Sequence, residues 1–280
     1  MAGPISFISD FGRDDEFVGV VHAVIARLAP SVRVIDLTHG IRRGDIRSGA
    51  LALTRAIQYL PEGVALAVVD PTVGTARRAI AAATDWGFFV GPDNGLLSPA
   101  VAMVGGAHVV VSIENPDMAV PSPGATFQGR DVFAPAAALL AAGEVEIEEL
   151  GPLVAGEGLQ PLLLPLPKVE PPAVHGEVFW VDTYGNVETN IGPDDLAMAG
   201  LRPGDPVEVV VGGSPSEAVW VTSFGEVGDG ELLVHVDSAG LIAIAVNKGR
   251  ADEELSLVER LPVVLRGRGT PKAEGPRPPG

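Results

Sequence analysis

The chain contains no cysteine among its 280 residues, which removes disulfides, thiolate zinc sites, iron–sulfur clusters and a cysteine nucleophile together. Positive charge is scarce: 19 Lys and Arg stand against 36 Asp and Glu, a formal charge of −17. A surface of that sign repels both a phosphate backbone and an anionic lipid face, so neither nucleic acid nor a membrane is expected as a partner. No stretch approaches the roughly 18 uninterrupted apolar residues of a membrane span. The opening MAGPISF has neither the basic start nor the long apolar stretch of a secretion signal, and the expectation is a cytoplasmic protein. Several local signatures are missing too. Without GxGxxG after a strand, GxxxxGK[ST], HExxH or GxSxG, dinucleotide, P-loop, zincin and common serine-hydrolase chemistries have no local support.

What is present is a chain 46% hydrophobic, long enough for one large or two moderate domains. Strand-like runs at 5–8, 32–36 and 64–69 alternate with helix-like runs at 17–28 and 45–59. Such alternation predicts an α/β N-terminal domain with a mostly parallel sheet, whose ligands gather at the strand C-termini. Further runs at 80–83 and 87–90 precede a buried helix at 132–142, and this domain is expected over 1–155. Residues 156–173 are too rich in proline for a helix and read as a linker. Beyond it, short strand candidates at 176–182, 206–211, 218–223, 232–236, 242–246 and 255–261 predict a smaller, mainly antiparallel β domain over 174–265. Residues 266–280 have little to bury and are expected to be mobile.

The most informative stretch is residues 68–78, VVDPTVGTARR. A short apolar run ends in Asp70, a turn with Pro and Gly follows, and Arg77 and Arg78 close it. Residues 5–12, ISFISDFG, repeat the arrangement with Asp10, and residues 125–135 set Gln128 beside Gly129, Arg130 and Asp131. Asp10, Asp36 with His39, and Asp70 all lie at or just past the ends of strand-like runs, which suggests delivery to one sheet edge. Taken singly, most of these residues have plain structural explanations. An ion pair tying down a loop accounts for Asp70 and Arg77, and Asx-turn chemistry for Asp182, Asn186 and Asn190. The acidic run 14–16 suits a helix N-terminus better than a metal site. His22, His108, His175 and His235 read as structural, whereas His39 in DLTHG reads equally well either way.

The joint pattern changes this. SDFG, VVDPTVGTARR, GPDNGLL, TFQGRDVFAP, VDTYGNVETNI and DSAGLIAIAVN occur in one order across residues 4–262. That order closely resembles the S-adenosylmethionine hydroxide adenosyltransferase family, relatives of the fluorinase and chlorinase enzymes. The resemblance implies an N-terminal α/β domain, a C-terminal β domain, and a homotrimer with active sites shared between subunits. It implies that Asp10 holds the ribose hydroxyls, Asp182 meets the methionine ammonium, Asn186 contacts adenine and Phe224 lies against it. Ser238 then contacts methionine, and Val246 acts through its backbone. Asp70 and Arg77 match two members of an Asp–Arg–His triad that activates water or hydroxide. Neither a cofactor nor a metal is implied.

One position departs from the family pattern. TFHGRD reads here TFQGRD, and Gln128 can orient water but cannot take a proton near neutral pH. The expected activity is hydrolysis of S-adenosylmethionine to adenosine and methionine by attack at C5′. Two alternatives stand beside it. A halide-dependent adenosyltransferase is disfavoured by the negative charge of Asp70, where the halogenating branch has tyrosine. A catalytically silent adenosine or S-adenosylmethionine binder is made credible by Gln128.

Overall fold

The computed structural model describes residues 3–124, 126–154 and 158–267. It divides into two units, Met1–Leu163 and Leu164–Gly280. In the first, β1 (Ile5–Ser9), α1 (Phe17–Leu28), β2 (Val34–Thr38), α2 (Ile46–Ile57) and β3 (Gly63–Val68) follow the expected alternation. They are followed by β4 (Ala79–Ala83), β5 (Gly87–Pro92), α3 (Ser98–Met103), β6 (Val109–Ser112) and α4 (Ala134–Ala142). The sheet order is β2-β1-β3-β5-β4-β6.

Parallel pairing holds from β2 through β1 and β3 to β5, but β4 runs antiparallel to both β5 and β6, so the sheet is mixed. The cause is the short connection at 84–86, closed by the Thr84 and Gly87 backbones, since so tight a link joins only antiparallel neighbours. The central strands are buried on both faces. Ile5, Phe7, Val64, Leu66 and Val68 share one apolar core with Val21, Val24 and Ile25 of α1 and the alanines of α4. Helix α2 packs on Val69 and Leu96, so tightly at Gly49 that an added Cβ would stand 2.9 Å from each side chain. Its start is fixed by Asp45, which accepts from Ser48 N at 3.2 Å and Ser48 Oγ at 2.9 Å.

The second unit contains β7 (Lys168–Glu170), β8 (Ala173–Val181), β9 (Val187–Thr189), α5 (Pro193–Met198), β10 (Pro206–Val211), β11 (Ser214–Trp220), β12 (Leu232–Val236), β13 (Ile242–Val246), α6 (Ala251–Glu254) and β14 (Pro262–Gly267). Pairing of β14 with both β10 and β8 closes these strands into a barrel. It too is mixed. β11 and β12 pair in parallel because the connection at 221–231, with its helical turn Phe224–Glu226, carries the chain back before the next strand starts.

Other expectations shift locally. The strand expected at 255–261 is displaced to β14, because α6 precedes it and Ser256 and Arg260 adopt left-handed backbone at φ 52° and 70°. The proline-rich stretch is tied at both ends. Gln160 N donates to Asp93 and Leu162 N to Ser98 in the first unit, while Lys168–Glu170 is already strand in the second. Of the tail expected to be mobile, Arg266 and Gly267 finish β14, with Arg266 donating to Glu208. The remainder lies outside the described residues.

Candidate active site

Ser9 of β1 stands opposite Val68 of β3, so the residues after them leave the sheet at one edge. That register places Asp10 and Asp70 together. Burial pushes the Asp10 carboxyl above its ordinary range; backbone N–H bonds from Gly44 and from Asp10 itself oppose this, and the neighbouring Asp70 charge adds to it. The Gly44 bond is short, 2.7 Å to Oδ2.

Asp70 is engaged on both oxygens. Its Oδ1 accepts from Thr72 Oγ1 at 3.0 Å, Thr72 N at 3.2 Å and Arg77 Nε at 3.1 Å. Its Oδ2 accepts from Arg77 Nε at 3.1 Å and from Nη2. The pair is buried, with 9% of the Arg77 and 7% of the Asp70 side chain exposed. Arg77 Nη2 also donates to Gln128 Oε1 at 2.5 Å, and the guanidinium lies 5.3 Å from the centre of the Phe133 ring. A guanidinium has no acceptor, so the atom of Gln128 that faces it is the carbonyl oxygen. The carboxamide therefore turns its two N–H donors elsewhere.

Gln128 is held at this place by its neighbours. It directly precedes the π-helical turn Gly129–Phe133, where a Cβ on Gly129 would meet the Phe11 ring at 2.8 Å. Only glycine lets the turn approach a cluster in which the Phe11, Phe17 and Phe127 rings pack edge-on or tilted within 5.0–6.1 Å. Asp10, Asp70, Arg77 and Gln128 thus come from three loops into one group. Asp36 does not join them: it stays within β2 opposite Phe7 and turns toward His22 and His39.

The five candidates of the second unit sit on three connections and at the end of one strand. Asp182 organises the turn between β8 and β9, accepting from Tyr184 N and Asn186 N on Oδ1 and from Asn186 Nδ2 on Oδ2 at 2.8 Å. Phe224 lies on the β11–β12 connection with its ring 5.0 Å from that of His235. Ser238 is exposed in the β12–β13 turn, and Val246 ends β13 with its carbonyl accepting from Gly249 N.

Two contributors escaped the sequence reading. Thr72, two residues past Asp70, has the spacing of a side chain that caps its own turn, a signal present but not singled out. Phe133 carried no local signal. Of the histidines, His108 pairs with Asp85 and His175 with Glu170. Among the described residues no group of three or more His, Asp or Glu is placed to hold a metal ion, and no helix is long and apolar enough to cross a membrane.

Comparison with known proteins follows the same division. Residues 5–151 match the sequence model of the SAM hydroxide adenosyltransferase N-terminal domain, and residues 176–264 that of its C-terminal domain. The (R)-S-adenosyl-L-methionine hydrolase of Salinispora tropica is 49% identical over 255 residues, covering 90% of this chain and 94% of its own length. The protein of the same name from Thermus thermophilus is 45% identical over 269 residues, 94% of this chain and 99% of its own. The crystal structure of an uncharacterized conserved protein from Thermotoga maritima superimposes with a TM-score of 0.87 at 40% identity, over 94% of this chain and 99% of that one.

Proposed function

The chain belongs to the SAM hydroxide adenosyltransferase family, and from that premise we infer that it is an S-adenosyl-L-methionine hydrolase releasing adenosine and L-methionine. Relatives at 45–49% identity over most of the chain carry the hydrolase name, and this observation carries the reading. Incubation of the purified protein with S-adenosylmethionine, resolved into its two sulfonium epimers, tests it by chromatography. Adenosine and methionine in equal amounts are expected, with the (R) epimer named for the relatives consumed faster; release at the background rate from both would refute it.

In the proposed step, the oxygen of hydroxide or water bonds to C5′ while the C5′–sulfur bond breaks. The electron pair stays on sulfur, which departs as the neutral thioether of methionine. When water attacks, its surplus proton passes to solvent. The leaving group needs no acid, so the protein's task is to hold an oriented, poorly solvated nucleophile in line. Arg77 supplies positive charge for an anionic nucleophile. Asp70, with its roughly four lone-pair positions taken by Thr72 and Arg77, fixes the guanidinium rather than taking a proton. Gln128 adds an N–H donor directed at the nucleophile's lone pair. Asp10 accepts from the ribose hydroxyls, and Asp182, Asn186, Phe224, Ser238 and Val246 hold methionine and adenine.

The departure at Gln128 gives a test of proton handling. Gln128→His is expected to raise turnover about tenfold, short of the roughly 10²–10⁴-fold of full general-base help, and to add a pH step absent from the parent. The adjacent Arg77 charge moves that step below the unperturbed histidine value of about 6.5, so the rate rises as pH passes upward through it. A pH–rate profile unchanged by the substitution would show that this position handles no proton. The family reading also brings a homotrimer and a cytoplasmic setting. Light scattering should give a trimer mass, and a fully active monomer at nanomolar concentration would end the shared-site proposal.

A further inference from the structure

We infer that His39 is a positioning residue for Asp10, gripping the strap at residues 9–12 through Ser9 so that the Asp10 carboxylate meets the ribose hydroxyls. This rests on the assignment of Asp10 to the ribose in the function proposed above. A bulge sets the geometry. Phe7 pairs with Asp36 but Ile8 pairs with Thr38, so β2 gains one residue on β1 and His39 arrives beside Ser9. The His39 Nδ1 lies 2.7 Å from Ser9 Oγ, both side chains being buried, and the His39 carbonyl accepts from Gly12 N at 2.9 Å.

The direction of these bonds follows from charge. Burial works against an ionised Asp36, but the hydrogen bond from His22 and the close contact with His39 outweigh it and hold its carboxyl below the ordinary range. Asp36 is thus an acceptor, and the His39 atom 3.1 Å from it, Nε2, carries the hydrogen. That contact is within ion-pair distance but poorly aligned as a hydrogen bond, so it sets the tautomer by charge more than by strength. Burial keeps the imidazole itself neutral by pushing its pKa down, which leaves Nδ1 with a lone pair. Ser9 Oγ–H therefore donates to His39, and its oxygen faces Phe11 N at 3.4 Å.

The order Asp36, His39, Ser9 is that of a hydrolase relay, yet Ser9 is 0% exposed and no substrate atom reaches it. What it reaches is the next residue. Asp10 N is held on the opposite side by the Val68 carbonyl at 3.3 Å, and Oδ2 by Gly44 N. The strap is thereby fixed on one side by β3 and on the other by the segment from His39 to Gly44.

The test compares binding of adenosine and 2′,3′-dideoxyadenosine by calorimetry. The parent is expected to prefer adenosine by about a hundredfold or more, and Asp10→Ala to abolish the preference. His39→Leu should cut the preference by about tenfold while leaving affinity for the dideoxy nucleoside within about twofold. His39→Asn, whose carbonyl can accept from Ser9, should restore most of it. A general loosening of the fold would weaken both ligands alike. Full preference retained in His39→Leu overturns the inference; if that variant does not fold, full preference retained in Ser9→Ala does so instead. A parent with no preference removes Asp10 from the ribose and the inference with it, a result distinct from either.

Discussion

Arg77→Met is expected to lower kcat by about 10²–10³-fold, the scale for removing one preorganised electrostatic donor from a reacting centre. It should also cost about 3–5 kcal/mol of stability, because the Asp70 carboxylate is left buried without its partner. Both effects come from one guanidinium. Arg77 holds the two Asp70 oxygens and the Gln128 carbonyl at once, so its loss leaves Asp70 Oδ2 and the Gln128 carbonyl without that donor and removes the positive charge facing the nucleophile. Saturating turnover and denaturant unfolding read the two effects separately. Asp70→Asn keeps the shape and removes the carboxylate charge, and should likewise reduce kcat. A folded Arg77→Met enzyme within about tenfold of the parent kcat would show that the guanidinium serves only to tie the loop.

Asp10→Ala should weaken adenosine binding by about 10²–10⁴-fold, since two vicinal hydroxyls donating to one carboxylate contribute about 1.5–3 kcal/mol each. The effect has a pH signature. Burial raises the Asp10 pKa, so the charge that strengthens these bonds is complete above that raised value and is lost as pH falls through it, earlier than for an ordinary carboxylate. Calorimetry across the acidic range should show parent affinity falling while the alanine variant stays level. An alanine variant within about threefold of the parent at neutral pH would remove Asp10 from the ribose site.

Much of the local structure is legible in the sequence. The run 17–28 reads as one helix and is one, because Val21, Val24 and Ile25 recur at the spacing that puts them on a single buried face. The acidic residues 14–16 stand just before it, as expected of a helix N-terminus. The helix expected at 45–59 starts at its Asp45 cap. Barrel strands bounded by glycine and asparagine turns were also readable, as at 206–211 and 242–246. Legibility failed where a short apolar run follows a helix: 255–261 has strand-like composition, but left-handed residues within it stop pairing until Pro262.

For the candidate site, the resemblance grouped Asp70, Arg77 and the position of Gln128, but the contacts between their atoms were not readable. Gln128 lies 51 residues from Arg77, and nothing in either segment states that the amide oxygen faces the guanidinium. His39 could be read either way until the bulge in β2 set it against Ser9.

The sequence by itself determined the sign of the surface charge, the order of helices and strands at the N-terminal end, and which carboxylates stand at strand ends. These depend on composition and on periodicity within about ten residues, where side-chain spacing alone decides what can be buried. Tertiary structure alone decided that β4 runs against its neighbours, that the second sheet closes on itself through β14, and that Arg77 bonds Asp70 and the Gln128 carbonyl at once. Strand order and long-range side-chain contacts are set by burying the whole apolar surface at once. Many local sequences satisfy the same periodicity, and only the packed chain selects which distant residues touch.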